Sequence, residues 1–87
     1  PIIAELKAGR PVSVNDVTLD PRVAESATAF ATINTRSVLA VPLVKQGRFT
    51  ALLFLHHPSP RHWTADEIAL VSEVAERTWS AVERARA

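Results

Sequence analysis

Residues 37–44 and 49–57 form two runs that are apolar on both faces, and no other feature of this chain restricts its fold as much. In the second run Thr50, Leu52, Phe54 and His56 point one way, while Phe49, Ala51, Leu53, Leu55 and His57 point the other. A strand without a polar face needs cover on both sides, so the runs predict strands in the middle of a sheet flanked by helices. Lys45-Gln46-Gly47-Arg48 joins them as a hairpin connection, with Gly47 free to take a positive φ. Pro42 removes one donor from the first strand and predicts a bulge or an unpaired stretch there.

The cover is legible on either side of the hairpin. Residues 64–87 predict one long helix, with Thr64 and Glu67 at capping-box spacing. Asp66 and Glu67 at its start and Arg84 and Arg86 near its end suit the helix dipole. Its apolar stripe runs through Ile68, Val71, Ala75, Val82 and Ala85, widened by Leu70, Val74 and Ala81, and suits either a sheet or a second helix. No Gly, Asn or Pro closes the helix after Arg86, and the chain lacks an initial Met, so an excerpt of a longer protein is expected. Upstream, residues 2–8 predict a short helix ended by Gly9 and Pro11, and residues 11–15 a short strand turning at Asn15-Asp16. Asp20-Pro21 starts a further helix, with Val23, Ala27, Phe30 and Ala31 on one face and an end near Ile33-Asn34. The class is α+β: one domain, with an antiparallel sheet sandwiched by helices.

Composition narrows the function. The absence of cysteine excludes disulfides, thiolate metal sites, cysteine nucleophiles and thioether-linked cofactors within these residues. A net charge of +1, with Arg10, Arg22, Arg36, Lys45, Arg48 and Arg61 scattered between elements, reads as solvated surface, not a nucleic-acid patch. The longest apolar run, residues 38–44, is too short to span a bilayer, and no signal peptide is visible. A cytoplasmic segment without membrane contact is expected.

The order of blocks then becomes specific. Gly9-Arg10-Pro11-Val12 is followed by Asn15-Asp16-Val17, Asp20-Pro21-Arg22 and Ser37-Val38-Leu39-Ala40-Val41-Pro42-Leu43. Gly47-Arg48, Ala51-Leu52-Leu53 and Trp63-Thr64 leading to Asp66-Glu67 complete the series. This succession resembles the GAF family, and His56-His57-Pro58 with Glu83-Arg84-Ala85-Arg86-Ala87 is most similar to GAF domains of bacterial sensor histidine kinases. The resemblance implies a partial GAF domain over residues 1–87, with a GAF/PAS-like antiparallel sheet flanked by helices and the family's first helix and two strands missing or truncated. It implies a sensory module of a two-component histidine kinase that couples a small molecule or partner to an output domain through the last helix. The alternative is a ligand-free dimerisation module of a signalling or transcription-regulating protein. No catalytic residue is expected: Ser13, Ser26, Ser37, Asp16 and Asp20 offer triad combinations on paper, but none lies in a nucleophile-elbow context.

The resemblance also implies a pocket. Phytochrome GAF domains carry a His-His pair at the end of this strand, the first lining the bilin site, which places His56, Phe54 and Leu52 on the pocket side with Val38, Ala40, Ser26 and Phe30. His56 is therefore expected to be less exposed than His57. Ser26 stands where the other pocket histidine is found, and Val38 and Ala40 replace the hydroxyls that meet a bilin propionate, so no cofactor and no bilin are expected. Of the cyclic-nucleotide signature only Trp63 with Asp66-Glu67 is present, and those residues already have a structural role in starting the helix. His56 and His57 face opposite sides of a strand, so no metal site is expected from them. A homodimer is expected through the open sheet edge or through Ile68, Val71, Ala75, Trp79 and Val82.

Overall fold

The computed structural model describes residues 2–86; Pro1 and Ala87, the latter included in the expected final helix, lie outside them. Helix α1 (Ile2–Lys7) leads into strand β1 (Val12–Val14), a 3-10 segment (Pro21–Ser26) and helix α2 (Ala27–Thr32). Strands β2 (Ser37–Lys45) and β3 (Arg48–His57) and helix α3 (Ala65–Arg86) follow. The strands form one antiparallel sheet in the order β1-β2-β3. This is the small α+β fold that the apolar periodicities predict.

Local chemistry sets the element ends. Gly9 closes α1 at φ +85°, where its N–H reaches the Leu6 carbonyl and that of Arg10 reaches the Glu5 carbonyl. Asn34, at φ 56°, closes α2 in the same left-handed way. Gln46 and Gly47 are both at positive φ, as the tightest hairpin turns require. At the start of α3 the capping box is complete: Glu67 N–H donates to Thr64 Oγ1 at 3.1 Å, and Thr64 N–H to Glu67 Oε1 at 2.9 Å.

Three expectations are corrected. The bulge falls past Pro42, which pairs in register with Leu52; the shift comes between Leu43 and Val44, which pair with Ala51 and Phe49. The helix expected from Asp20-Pro21 breaks in two, because Val23 leaves helical geometry at φ −125°. The third correction concerns sheet position. β2 is central and buried over Ser37 to Leu43, whereas β3 lies at an edge, partly exposed along its length, with Phe49 and Phe54 both near half exposure.

Alternation along β2 divides the interior into two layers. Val38 and Ala40 join Leu6, Val12, Val14 and Val17 on one side, with Val23, Phe30 and Leu52 packed against them. Leu39, Val41 and Leu43 join Trp63 and Ala75 on the other, with Leu53, Leu55, Ile68, Val71 and Trp79 packed around them. The expected dimer residues Ile68, Val71, Ala75 and Trp79 are thus spent on the sheet, and of that set only Val82 stays exposed. A sheet of this size has no other cover on that side, so the stripe goes to the nearest apolar face. The exposed large apolar residues of α3 are Leu70, Val74 and Val82.

Five of the six scattered cations are paired with carboxylates. Arg10 pairs with Glu5, Arg22 with Asp20, Arg36 with Asp16, Lys45 with Glu76 and Arg61 with Glu67. Asp16 has the most consequence. Its carboxylate accepts from Arg36 Nη2 at 2.8 Å, from Thr18 Oγ1 at 2.7 Å and from Thr18 N–H at 2.9 Å. The pair ties the loop after β1 to the segment entering β2, where Val17 N–H also donates to the Arg36 carbonyl. The Arg36 hydrogen bonds, followed by those from Thr18, lower the Asp16 pKa to about 2. A folded pKa below the unfolded one means the stabilisation is present above the ordinary carboxylate range and is lost as pH falls toward 2. The thermal midpoint of the protein is therefore expected to fall below pH 4 more steeply than that of Asp16→Asn. A gap between the two that is constant from pH 5 to pH 2 would refute the latch.

Candidate functional site

A cavity of about 470 Å³, open on one side, lies on the Val38–Ala40 face of the sheet. The sheet contributes Val12, Val14, Val38, Ala40, Leu52 and Phe54 to its wall. α1 closes one flank with Ile2, Ile3 and Leu6, and the 3-10 segment with α2 closes the other with Val23, Ser26 and Phe30. Among the described residues, Arg22 is its only charged lining residue and Ser26 its only hydroxyl. An apolar cavity with a few convergent polar groups is the usual form of a small-molecule site.

Six of the seven residues expected to line a pocket are brought together here: Leu52, Phe54, Val38, Ala40, Ser26 and Phe30. His56 is the exception. It lies on the same face, edge-on to Phe54 at 5.8 Å between ring centres, and within 3.2 Å of Thr35 Oγ1 through Nδ1. The expected exposure order is reversed, because His56 is exposed and His57 half-buried. Strand alternation assigned the face correctly, but among the described residues β3 is an edge strand and no helix packs over its last residues on that side. His57 instead turns its ring back on Ser59, and His62 approaches Asn15, so the three histidines occupy three separate settings.

The sequence reading missed Arg22 and the α1 residues. Arg22 grips Asp20 through Nε at 3.0 Å and Nη2 at 2.6 Å, and Nη2 also donates to the Ser13 carbonyl at 2.8 Å. The hydrogen bonds from Arg22 lower the Asp20 pKa, and the same contact raises that of Arg22. The guanidinium is thus held at the cavity wall, with Nε and Nη2 engaged by Asp20 and the Ser13 carbonyl. Its signal in the sequence was the Asp20-Pro21-Arg22 spacing, which lets a capping carboxylate fold back onto the following arginine. The triad combinations come to nothing: Ser37 Oγ donates to the Ser59 carbonyl at 2.9 Å, and both Asp16 and Asp20 are occupied by arginines.

Two clefts of about 490 and 480 Å³ beside Pro21 and Arg22 are more open and lined largely by polar and charged residues, and a smaller void of about 110 Å³ lies between the hairpin and α3, where Leu43, Ala51, Leu53, Ala75 and Trp79 leave a gap. It is small and almost without polar groups, so the cavity on the other face is the better candidate. Among the described residues no helix is long and apolar enough to cross a membrane.

Comparison with known proteins agrees with this arrangement. The GAF domain model matches residues 2–82. The third GAF domain of Slr1393 from Synechocystis sp. is 25% identical at a TM-score of 0.81, covering 94% of this chain and 52% of that one. A domain of a putative two-component sensor histidine kinase from Sinorhizobium meliloti is 21% identical at 0.72, covering 91% and 55%. A far-red-absorbing domain solved with bound biliverdin IXa is 20% identical at 0.82, covering 95% and 56%. The chain therefore spans about half the length of the solved domains it matches. No curated protein matches the sequence.

Similarity to the GAF domain of the cyanobacteriochrome TePixJ, 25% identical at a TM-score of 0.82 over 95% of this chain and 52% of that one, overturns the expectation of no cofactor and no bilin. That expectation rested on single side chains at Ser26, Val38 and Ala40, whereas room for a planar ligand is set by how helices stand off a sheet face. Here they stand off far enough to leave the cavity just described. GAF domains are regulatory and sensory modules, without chemistry of their own. With the GAF model matched over residues 2–82, and with about half of a solved GAF domain matched in fold, this chain belongs to the GAF domain family.

Proposed function

We propose that this domain is the ligand-reading part of a signalling protein, and that its cavity takes an apolar, extended molecule carrying an acidic or hydrogen-bond-accepting group. The observation that carries the reading is the cavity of about 470 Å³, with the Arg22 guanidinium and the Ser26 hydroxyl in a mainly apolar wall. Bilins fall within that ligand class, as the biliverdin of the far-red domain illustrates. With no cysteine in these residues, a tetrapyrrole in this cavity is held by packing and hydrogen bonds and not by a thioether from this chain.

Transmission has a short physical route. Val38 and Ala40 line the cavity, while Leu39 and Val41, alternating with them on the same strand, seat α3. A ligand that displaces β2 therefore acts on the surface on which α3 rests, and it shifts the equilibrium only by its differential affinity for the two arrangements. From the sequence resemblance we read the output as a two-component histidine kinase in the cytoplasm, with α3 leading toward it.

Titration with biliverdin, followed by visible absorption and by tryptophan fluorescence, tests the site. Ala40→Phe fills the cavity and is expected to abolish binding, and Arg22→Gln to weaken an acidic ligand by about tenfold or more. Binding that neither substitution changes, with circular dichroism showing both variants folded, would place the ligand elsewhere.

A further inference from the structure

A guanidinium carries N–H donors on three nitrogens, and at Arg22 two of the three are already engaged within the chain. Nε donates to both carboxylate oxygens of Asp20, at 3.0 and 3.2 Å, and Nη2 donates to Asp20 Oδ2 at 2.6 Å. Nη2 also donates to the Ser13 carbonyl at 2.8 Å. The Nε–Nη2 fork that would clasp a ligand carboxylate in two parallel bonds is therefore filled from inside. The other fork, between Nη1 and Nη2, is half used, because Ser13 holds the Nη2 side. Among the described residues, only Nη1 has no acceptor. Charge is matched along with hydrogen bonding, since Asp20 forms an ion pair with Arg22 and its side chain is only 16% exposed. These contacts lie between β1 and the start of the 3-10 segment, on the opposite side of the sheet from β3.

We propose that Asp20 sets the ligand specificity of the cavity: with its carboxylate on Arg22, the site takes a neutral acceptor, the C=O of an amide, lactam or ester, and rejects a carboxylate. The proposal rests on the ligand-reading role given to the cavity above, and narrows the two kinds of group named there to one. A neutral carbonyl needs a single donor, which Nη1 supplies. A ligand carboxylate finds no free fork, and it has to share one guanidinium with the Asp20 charge. An anion in an apolar wall is costly unless it is paired, and here the pairing is already spent. Selectivity therefore arises from what the site withholds from the anion, and not from added attraction to the neutral group. Ser26, the other polar group of the wall, carries no charge and leaves that balance unchanged. Asp20 is held to the task by its own capping bond, in which its Oδ1 accepts from the Arg22 N–H at 2.9 Å. One side chain thus starts the 3-10 segment and masks the arginine that follows.

Two ligand pairs, titrated into the 87-residue chain and followed by tryptophan fluorescence, provide the test: biliverdin against its dimethyl ester, and dodecanoate against dodecanamide. In each pair the neutral member is expected to bind more tightly. Any apolar cavity favours a neutral ligand, so the deciding quantity is how the ratio of the two affinities changes with Asp20. Asp20→Asn keeps a capping side chain and removes the charge, and is expected to move the ratio toward the carboxylate by about tenfold or more. Asp20→Ser, which also caps but is too short to grip the guanidinium, is expected to act in the same direction. Adding Arg22→Gln to Asp20→Asn is expected to undo the shift, with circular dichroism showing each variant folded. A ratio that neither Asp20 variant moves, while Ala40→Phe still blocks binding, overturns the specificity and leaves the cavity reading standing. A carboxylate that binds the unaltered chain more tightly than its neutral partner does the same. Failure of all four probes to bind overturns the cavity reading, and the proposal with it.

Discussion

Leu39→Ala is expected to cost about 2–5 kcal/mol of folding stability, the usual range for truncating a fully buried leucine. Leu39 has no solvent exposure and sits in the central strand, paired with Ser13 on one side and Leu55 on the other. Its side chain enters the layer that holds α3 on the sheet, so the void opens between the two largest elements. Domains of this length retain roughly 4–13 kcal/mol in all, at about 0.05–0.15 kcal/mol per residue, so the loss removes much of the margin. Urea denaturation followed by circular dichroism measures it. Leu39→Val, which removes one methylene, is expected to cost about 1 kcal/mol and serves as the graded control. A loss below about 1 kcal/mol for the alanine variant would mean that the α3 layer does not close around Leu39.

Trp63→Ala is expected to cost about 3–5 kcal/mol, and Trp63→Phe less than half as much. Trp63 is buried just ahead of α3, within the same layer as Leu39 and Ala75. The guanidinium of Arg61 lies 4.6 Å from the centre of its ring, and Arg61 also pairs with Glu67. Glu67 in turn closes the capping box with Thr64, so removing the indole loosens the start of α3 as well as the layer beneath it. The indole Nε1 of Trp63 is buried and meets no protein acceptor. Phenylalanine therefore gives up area but no hydrogen bond within the protein, which is why its cost is expected to stay small. Denaturation curves of the two variants, measured side by side, decide the matter. Equal losses would show that the indole nitrogen contributes to folding through a contact that the packing alone does not reveal.

Leu39 is one apolar residue among many in the sequence, whereas Trp63 stands out in it, and that contrast indicates what was legible. The capping box of Thr64 and Glu67, the left-handed Gly9 and the Gln46-Gly47 turn depend on chemistry within a few residues, and each occurs where the sequence placed it. The division of β2 and β3 into two faces follows from strand alternation, so the residues sharing the cavity side, Val38, Ala40, Leu52 and Phe54, were also readable. The Val23 break was not. Asp20 capping turns Arg22 back toward Ser13, and that tertiary contact accompanies a 3-10 segment where apolar spacing alone predicts a longer helix.

By itself the sequence determined the elements, their faces and the family, because periodicity, capping and turn chemistry act over short separations along the chain. Only the tertiary structure decided that β2 is central and β3 an edge, and hence that His56 is exposed on a face correctly assigned. It also decided that the α3 stripe is consumed by its own sheet, and that α1 and α2 stand far enough off the Val38–Ala40 face to leave a cavity beside Arg22. An apolar face encodes that it needs cover but not which surface provides it. That choice depends on which elements lie close enough to compete, a property of the assembled chain.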